Sequence, residues 1–174
     1  VAAVASGLAV LLRAGISGDR LITLERELEL LEKYLDIQSL RFEDRFAWEI
    51  DVDERFQHCI VPKLILQPLV ENSIIHGVAN MDDGYIKLSA REKSGTLILS
   101  VQDNGVGIPK DSQSRIFERF YRVDKSRSKE TGGTGLGLSI VKHAAAWHHA
   151  SLKAESEPEK GTRITIIFDG KGGE

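Results

Sequence analysis

The chain has 174 residues, 41% of them hydrophobic, and a formal net charge of −3 at pH 7. That length predicts one compact domain plus an appendage, because domains are most often ~100–150 residues long. The acidic balance argues against a nucleic-acid partner and leaves any anionic ligand to a local site. The single cysteine, Cys59, cannot form an internal disulfide, and no run approaches the ~20 apolar residues of a membrane span. These features favour a domain in a reducing cytoplasm.

The first forty residues predict two helices separated by a short break. Residues 1–15 are rich in alanine and leucine, and they lack a cap at their start. Thr23 is the predicted N-cap of the second helix, whose first turn contains Glu25 and Glu27. Leucines then recur at steps of three and four along one face. Packing of this stripe on its own domain and packing at a dimer interface are equally good interpretations.

Beyond residue 46 the pattern alternates between strands and helices. Residues 46–52 have the period of two of a half-buried strand. Pro62 is predicted to open an apolar helix that runs to about His76, with Pro68 bending its first turns. Further strands are predicted at 85–91, 96–103, 151–156 and 162–168, a long polar lid at 109–134 with a short helical piece at 112–120, and a helix at about 135–149.

This order of elements predicts an α+β domain. The expected architecture is a two-layer α/β sandwich, in which helices cover one face of a mixed and mostly antiparallel sheet. An N-terminal helical segment precedes it, with the boundary between the two at residues 42 and 43. The domain is expected to span residues 43–169, and residues 170–174 to form a disordered tail.

Two groups of residues suit opposite ends of one ligand. Asp103 ends a predicted strand, where its carboxylate can accept a hydrogen bond from an exocyclic amine such as that of adenine. Gly105 and Gly107 let the backbone approach a flat ring. Taken singly, however, an Asp-Asn-Gly segment is equally well explained as an ordinary turn that ends a strand.

The other end of the ligand is suited to glycines and to Asn72. Gly133, Gly135 and Gly137 precede a predicted helix, so their amides and the helix N-terminus can face phosphate oxygens. Asn72 offers a neutral amide oxygen to Mg²⁺. A surface asparagine and a flexible linker are the ordinary alternatives. The chain has no P-loop motif, and its glycine spacing differs from that of a dinucleotide fold.

In order and spacing these segments resemble the N, G1, F and G2 boxes of the histidine-kinase/gyrase/MutL ATP-binding family, with residues 116–122 as the F box. The resemblance spans about residues 46–168 and implies the Bergerat ATP-binding fold with ATP and Mg²⁺ as cofactors. It implies Asn72 as the Mg²⁺ ligand, Asp103 as the adenine acceptor and Thr162 as support for the adenine site. The expected nucleotide-binding residues are Asn72, His76, Asp103, Gly105, Gly107, Ile108, Tyr121, Arg122, Lys125, Gly133, Thr134, Gly135, Leu136, Gly137, Leu138 and Thr162.

Within that family the chain resembles two types of sensor kinase. Residues 21–42 and 67–77 resemble the LytS/YesM type, whereas residues 117–138 resemble the phosphate-regulon sensor type. Ile75 stands where many relatives have a lysine that reaches the phosphates, and His76 or a lid cation is the expected substitute. Glu71 is a candidate general base, although it points about 100° away from Asn72 around the helix. A catalytic role and an orienting or surface role for Glu71 remain equally good interpretations.

The resemblance implies a protein-histidine kinase domain of a two-component system. It would transfer the γ-phosphate of ATP to a histidine on an upstream helix, for relay to a response-regulator receiver domain. The resemblance also implies a homodimer anchored in the bacterial cell membrane, with this domain in the cytoplasm. None of the five histidines lies in the expected Asn-Pro-His-Phe setting, so the fragment alone is predicted to be inactive. The alternatives are an ATP hydrolase that works as a clamp and a nucleotide-sensing module without catalysis.

Overall fold

The computed structural model of the protein describes residues 18–123 and 135–168. Its strands are β1 (Leu21–Thr23), β2 (Phe46–Asp51), β3 (Ile60–Pro62), β4 (Gly84–Lys93), β5 (Thr96–Asp103), β6 (Ala150–Glu157) and β7 (Gly161–Phe168). Its helices are α1 (Leu24–Arg41), α2 (Gln67–Asn72), α3 (Lys110–Gln113) and α4 (Gly137–Trp147), with a single 3-10 turn at Glu54–Phe56. The helix predicted over residues 1–15 and the predicted tail lie outside the described residues.

Five of the strands form one mixed sheet in the order β2-β4-β5-β7-β6. The pair β2 and β4 is parallel, whereas the other three pairs are antiparallel. β1 and β3 form a separate antiparallel pair, which the sequence did not predict. Three-residue strands are too short to show a period of two. The predicted α+β fold with a mixed, mostly antiparallel sheet is confirmed.

The core lies between one face of this sheet and the helices α1, α2 and α4. Alternate strand residues such as Leu88, Leu99 and Ile166 point into it, and each is nearly inaccessible to solvent. The leucine stripe of α1 belongs to the same core, with Leu24 and Leu31 fully buried. The stripe therefore packs on its own domain, which is one of the two interpretations that the sequence left open.

The two ends of α1 follow from its sequence. The Thr23 hydroxyl oxygen accepts a hydrogen bond from the Arg26 amide at 3.3 Å, so the predicted N-cap is confirmed. Glu25 and Glu27 lie in the first turn and Arg41 in the last, as the helix dipole favours.

The helix predicted from Pro62 begins later than expected. Pro62 ends strand β3, and the helix begins only at Gln67. Pro68 occupies its first turn, where a missing N–H leaves no helical hydrogen bond unmade, so this proline begins the helix and does not bend it. The chain then continues from α2 into a π-helical segment, Ser73–Val78, called the π-segment below. Such segments often occur at functional sites.

The packing of α1 is tested by Leu31→Ala. This leucine is 2% exposed within the core, so its truncation should lower the free energy of unfolding by ~2–5 kcal/mol. Leu40→Ala on the same helix removes a side chain that is 59% exposed and should change it by less than ~0.5 kcal/mol. Urea unfolding followed by circular dichroism measures both. Equal and small losses would contradict the assignment of the stripe to the core.

Candidate nucleotide-binding site

A row of polar side chains crosses the end of the sheet on its core-facing side. Asp103 on β5 lies opposite Thr162 on β7, and Thr162 lies opposite Ser156 on β6. The Ser156 and Thr162 hydroxyl oxygens are 2.9 Å apart and share a hydrogen bond. On each of these strands, the alternate residues on this face point into the core, and the three polar residues occupy the last such position at the end of the sheet. The polar groups therefore lie at the boundary between core and solvent.

Asp103 is the carboxylate of this row and is buried, with 4% of its surface exposed. Its Oδ1 accepts hydrogen bonds from the amides of Gly105, at 2.9 Å, and Thr162, at 3.2 Å. Its Oδ2 accepts one from the Ser73 hydroxyl at 2.7 Å. Burial raises the pKa of Asp103, and these three hydrogen bonds act in the opposite direction. The carboxylate is therefore held in one orientation by groups from three elements.

The π-segment packs directly on the turn that follows β5. A Cβ on Gly105 would lie 2.4 Å from the Gly77 Cα, and one on Gly77 would lie 3.0 Å from the Asp103 Oδ1. The Val106 amide donates to the Gly77 carbonyl at 3.3 Å. Both glycines are therefore required by close approach, and this approach brings the helix that follows Asn72 against the predicted base-binding turn.

The residues predicted on this helix lie in different directions. Asn72 is half-buried at the junction of α2 and the π-segment. Burial of part of its ring lowers the pKa of His76, and the positive charge of Arg122 lowers it further, so His76 and the start of the lid are neighbours. Glu71 is exposed, and its charge adds to the effect of burial in raising the pKa of Tyr34. Its charge is therefore felt at Tyr34 on α1.

The root of the lid is fixed to strand β6. A Cβ on Gly107, which has φ of +72°, would lie 2.2 Å from the Glu157 carbonyl oxygen. The Ile108 amide donates to the Ser156 hydroxyl at 2.7 Å. The Gln113 side-chain amide donates to the carbonyls of Ile108, at 2.8 Å, and Ser156, at 2.7 Å. The predicted residues Gly107 and Ile108 are therefore part of an anchored turn.

The first part of the lid contacts the residue that follows the lid, through Phe120 and Gly135. The Phe120 amide donates to the Gly135 carbonyl at 3.0 Å, and a Cβ on Gly135 would lie 3.0 Å from the backbone of Phe120. The Tyr121 hydroxyl donates to the Ser112 hydroxyl at 3.0 Å, and the Arg115 guanidinium lies 4.4 Å from the centre of the Tyr121 ring. Tyr121 is thus packed within the first part of the lid.

The remaining predicted residues lie at the start of α4 or beyond the described ranges. Leu136 immediately precedes α4, and Gly137 is its first residue. Leu138 follows with its side chain buried in the core, so it can offer a ligand its backbone only. Lys125, Gly133 and Thr134 lie outside the described residues.

Four residues that build this site were not predicted from the sequence. Ser73, Gly77, Ser156 and Gln113 all contact the predicted residues through hydrogen bonds or close backbone packing. Ser73 and Gly77 had one signal, since both lie in the same helical segment as Asn72. Ser156 and Gln113 had none, because a serine in a strand and a glutamine in a polar stretch are ordinary surface residues.

Two families match this chain. The family described as "Histidine kinase-, DNA gyrase B-, and HSP90-like ATPase" matches residues 60–171. The chain belongs to this family. The family described as "Histidine kinase" matches residues 1–46, which cover the predicted N-terminal helical segment.

Relatives of this ATPase domain include two curated sensor kinases. SenX3 of Mycolicibacterium smegmatis, a sensor-like histidine kinase, is 48% identical over 98 residues, covering 56% of this chain and 25% of SenX3. The sensor histidine kinase YesM of Bacillus subtilis is 33% identical over 152 residues, covering 85% of this chain and 24% of YesM. The chain thus spans about a quarter of the length of either relative. It carries the ATP-binding catalytic domain of sensor histidine kinases.

A solved structure has the same fold. The catalytic domain of the histidine kinase ThkA aligns with a TM-score of 0.67 at 20% sequence identity, covering 86% of this chain and 94% of that domain. At this identity the likeness concerns the fold. None of the helices in the described ranges of the ATPase domain has the length and hydropathy of a membrane span.

The burial of Asp103 predicts a pH dependence of stability. Because its folded pKa is raised above the ordinary value of 3.8, the stability that this group contributes is complete below that pH and is lost as the pH rises through the raised pKa. Asp103→Asn cannot titrate. The free energy of unfolding of the wild type minus that of Asp103→Asn should therefore fall as the pH rises from 3.8. Urea unfolding across pH 3.5–7, roughly the range over which carboxylates titrate, measures it. A difference that stays flat or rises would contradict the burial argument.

Proposed function

We propose that this chain binds Mg²⁺-ATP and transfers its γ-phosphate to a histidine on an upstream helix, as a protein-histidine kinase of a two-component system. The proposal rests above all on the Asp103 carboxylate, which is buried, oriented and joined to the helix that carries Asn72. One polar site thereby connects a group that reads a base with a group that suits a cation.

The base end of the site is suited to adenine. Each oxygen of a carboxylate has room for two hydrogen bonds. Oδ2 of Asp103 accepts one, from Ser73, and so retains an acceptor for an exocyclic amine. Gly105 and Gly107 border it without side chains that would fill the space of a ring. Guanine presents a carbonyl oxygen at the corresponding position, which a carboxylate repels.

The phosphate end is suited to a magnesium-bound triphosphate. No described residue hydrogen bonds to the Asn72 side chain, so its amide oxygen is left for a ligand. Mg²⁺ commonly takes one or two protein ligands and keeps several waters, and it would neutralise phosphate charge there. His76 and Arg122 lie close to each other and take the place of the lysine that many relatives have at Ile75. Phosphoryl transfer needs mainly this positioning and neutralisation.

The partners proposed for the intact protein follow from the class of protein to which its relatives belong. Its relatives are named sensor histidine kinases, and this chain spans about a quarter of their length. The proposed acceptor is a histidine outside this sequence, and the proposed recipient of the phosphate is a response-regulator receiver domain. We further propose that the intact protein is a membrane-anchored homodimer with this domain in the cytoplasm.

The reading of the base is tested by Asp103→Asn. The variant loses the charge, and its amide can present a donor to the adenine amine, so ATP affinity should fall by about 10–100-fold. The preference for ATP over GTP should disappear as well. Calorimetric titration with both nucleotides measures these values, with Asp36→Asn, an identical change at an exposed position of α1, as the matched control. Unchanged affinity and preference in Asp103→Asn would overturn the assignment.

The transfer is tested by labelling with radioactive γ-phosphate. This chain alone with Mg²⁺-ATP should gain no acid-labile label, whereas an upstream kinase helix supplied as a separate piece should become labelled. Asn72→Asp should reduce that label, and Asn80→Asp, at an exposed position in the turn after the π-segment, should not. Acid-labile label on the isolated chain would contradict the proposed acceptor.

Steady-state hydrolysis separates this function from the clamp ATPases. In those proteins the water-activating glutamate lies one helical turn before the metal-binding asparagine. Here that position is Pro68, which has no carboxylate to activate a water. A turnover comparable to that of a dedicated ATPase would therefore support the clamp alternative, and binding without either reaction would support a nucleotide-sensing module.

A further inference from the structure

Glu27 is a buried carboxylate that belongs to no site described above. It projects from the first turn of α1 and is 1% exposed. Its Oε2 accepts a hydrogen bond from the Leu64 amide at 2.7 Å, and its Oε1 accepts one from the Leu66 amide at 3.0 Å. Glu25 and Glu29 on the same helix are exposed to solvent, whereas Glu27 is buried, so the position of Glu27 needs an explanation of its own.

The two amides that Glu27 binds belong to Leu64 and to Leu66, the N-cap residue of α2. An N-cap side chain usually accepts from the first amides of its helix, but Leu66 has no polar side chain. Glu27 instead holds this N-cap residue by its backbone amide, from a different helix. Leu64 has φ of +59°, a conformation that costs free energy in a bulky residue and needs surrounding contacts to hold it.

Backbone hydrogen bonds strengthen the same connection. The Leu24 amide donates to the Cys59 carbonyl at 2.7 Å, and the Lys63 amide donates to the Arg20 carbonyl at 3.0 Å. Between them, β1 pairs with β3. The segment at residues 20–27 is thus joined along its length to the segment that leads into α2.

Asn72 lies between two carboxylates that each hold its helix. Glu27 fixes the beginning of α2, and Asp103 accepts from Ser73 directly after Asn72. We propose that Glu27 is a positioning residue for the nucleotide site, which fixes α2, and with it Asn72, to the segment through which the chain enters this domain. The inference rests on the proposed role of Asn72 toward Mg²⁺. Movement of the entering segment would then be transmitted to the cation ligand through Glu27.

The burial of the Glu27 charge is only partly offset by its surroundings. Burial raises its pKa, whereas hydrogen bonds from the amides of Leu66, Leu64 and Ile65 and the charge of Lys63 act in the opposite direction. Glu27→Gln keeps the shape of the side chain but offers one acceptor oxygen in place of two. One backbone donor then faces an NH₂ group, so the beginning of α2 must shift.

The test compares Glu27→Gln with Glu25→Gln, the same change at an exposed position of the same turn. Calorimetry gives the ATP affinity with Mg²⁺ and with EDTA, and the ratio of the two isolates the contribution of the cation. Mutation of a group that orients a metal ligand typically lowers metal affinity ~10–100-fold. The ratio of the ATP affinity with Mg²⁺ to that with EDTA should therefore fall about tenfold in Glu27→Gln. It should stay unchanged in Glu25→Gln. A general loss of stability would lower both affinities and leave their ratio as it was.

Amide resonances of the nucleotide-free protein supply an independent measurement. Glu27→Gln should shift the amides of Leu64 and Leu66 and also those from Asn72 to Gly77. If only the first two move, or if the Mg²⁺ ratio equals that of the wild type, the positioning role is overturned. If the wild type binds no nucleotide, the proposed function fails and the resonances alone decide the role of Glu27. Should Glu27→Gln not fold, Glu27→Asp, which keeps the carboxylate on a shorter side chain, takes its place in both measurements.

Discussion

The buried carboxylate of Asp103 is the group on which the arrangement of the site depends. Taking a carboxylate out of water is unfavourable unless donors replace the lost hydration. Here the donors come from α2's continuation, from the turn after β5 and from β7: Ser73, Gly105 and Thr162. Each donor has to approach closely, and this fixes three elements relative to one another. The same requirement excludes side chains at Gly77 and Gly105, since a Cβ at either position would enter the space between the helix and the turn. The proposed base site is thus built by satisfying one charge.

The π-segment connects this constraint with the cation end of the site. Its wider turns begin at Ser73, directly after Asn72, and they include both His76 and Gly77. In this segment the Ser73 hydroxyl and the Gly77 backbone face Asp103, while His76 lies near Arg122 at the start of the lid. The proposed base and cation sites and the start of the lid are therefore all contacted by six consecutive residues, Asn72–Gly77. Glu27 holds the opposite end of that helix, so both of its ends depend on buried carboxylates from other elements.

Residue chemistry and spacing predicted the mixed sheet and the turn at the end of β5. Asp103 ends that strand as predicted, and Gly105 and Gly107 follow it in a turn that leaves no space for a Cβ. The α1 stripe showed that something covers its leucines but not what, because an apolar face is the same against a core or a second subunit. The predicted start of a helix at Pro62 was wrong, because the helix begins at Gln67. The apolar residues 64–66 are equally compatible with a strand, a turn and a helix, so their pattern could not place the boundary. Ser73 could not be identified as a partner of Asp103, because that contact depends on the π-segment, for which the sequence has no period.

Contacts among the described residues position both the first part of the lid and the residue that follows it. Its root is held by Ile108 and Gln113 against Ser156, and its two ends are joined between Phe120 and Gly135. Gly135 permits this junction through φ of +69°, and α4 begins two residues later. The N-terminus of α4, which is proposed to face the phosphates, is therefore positioned by this junction between Phe120 and Gly135.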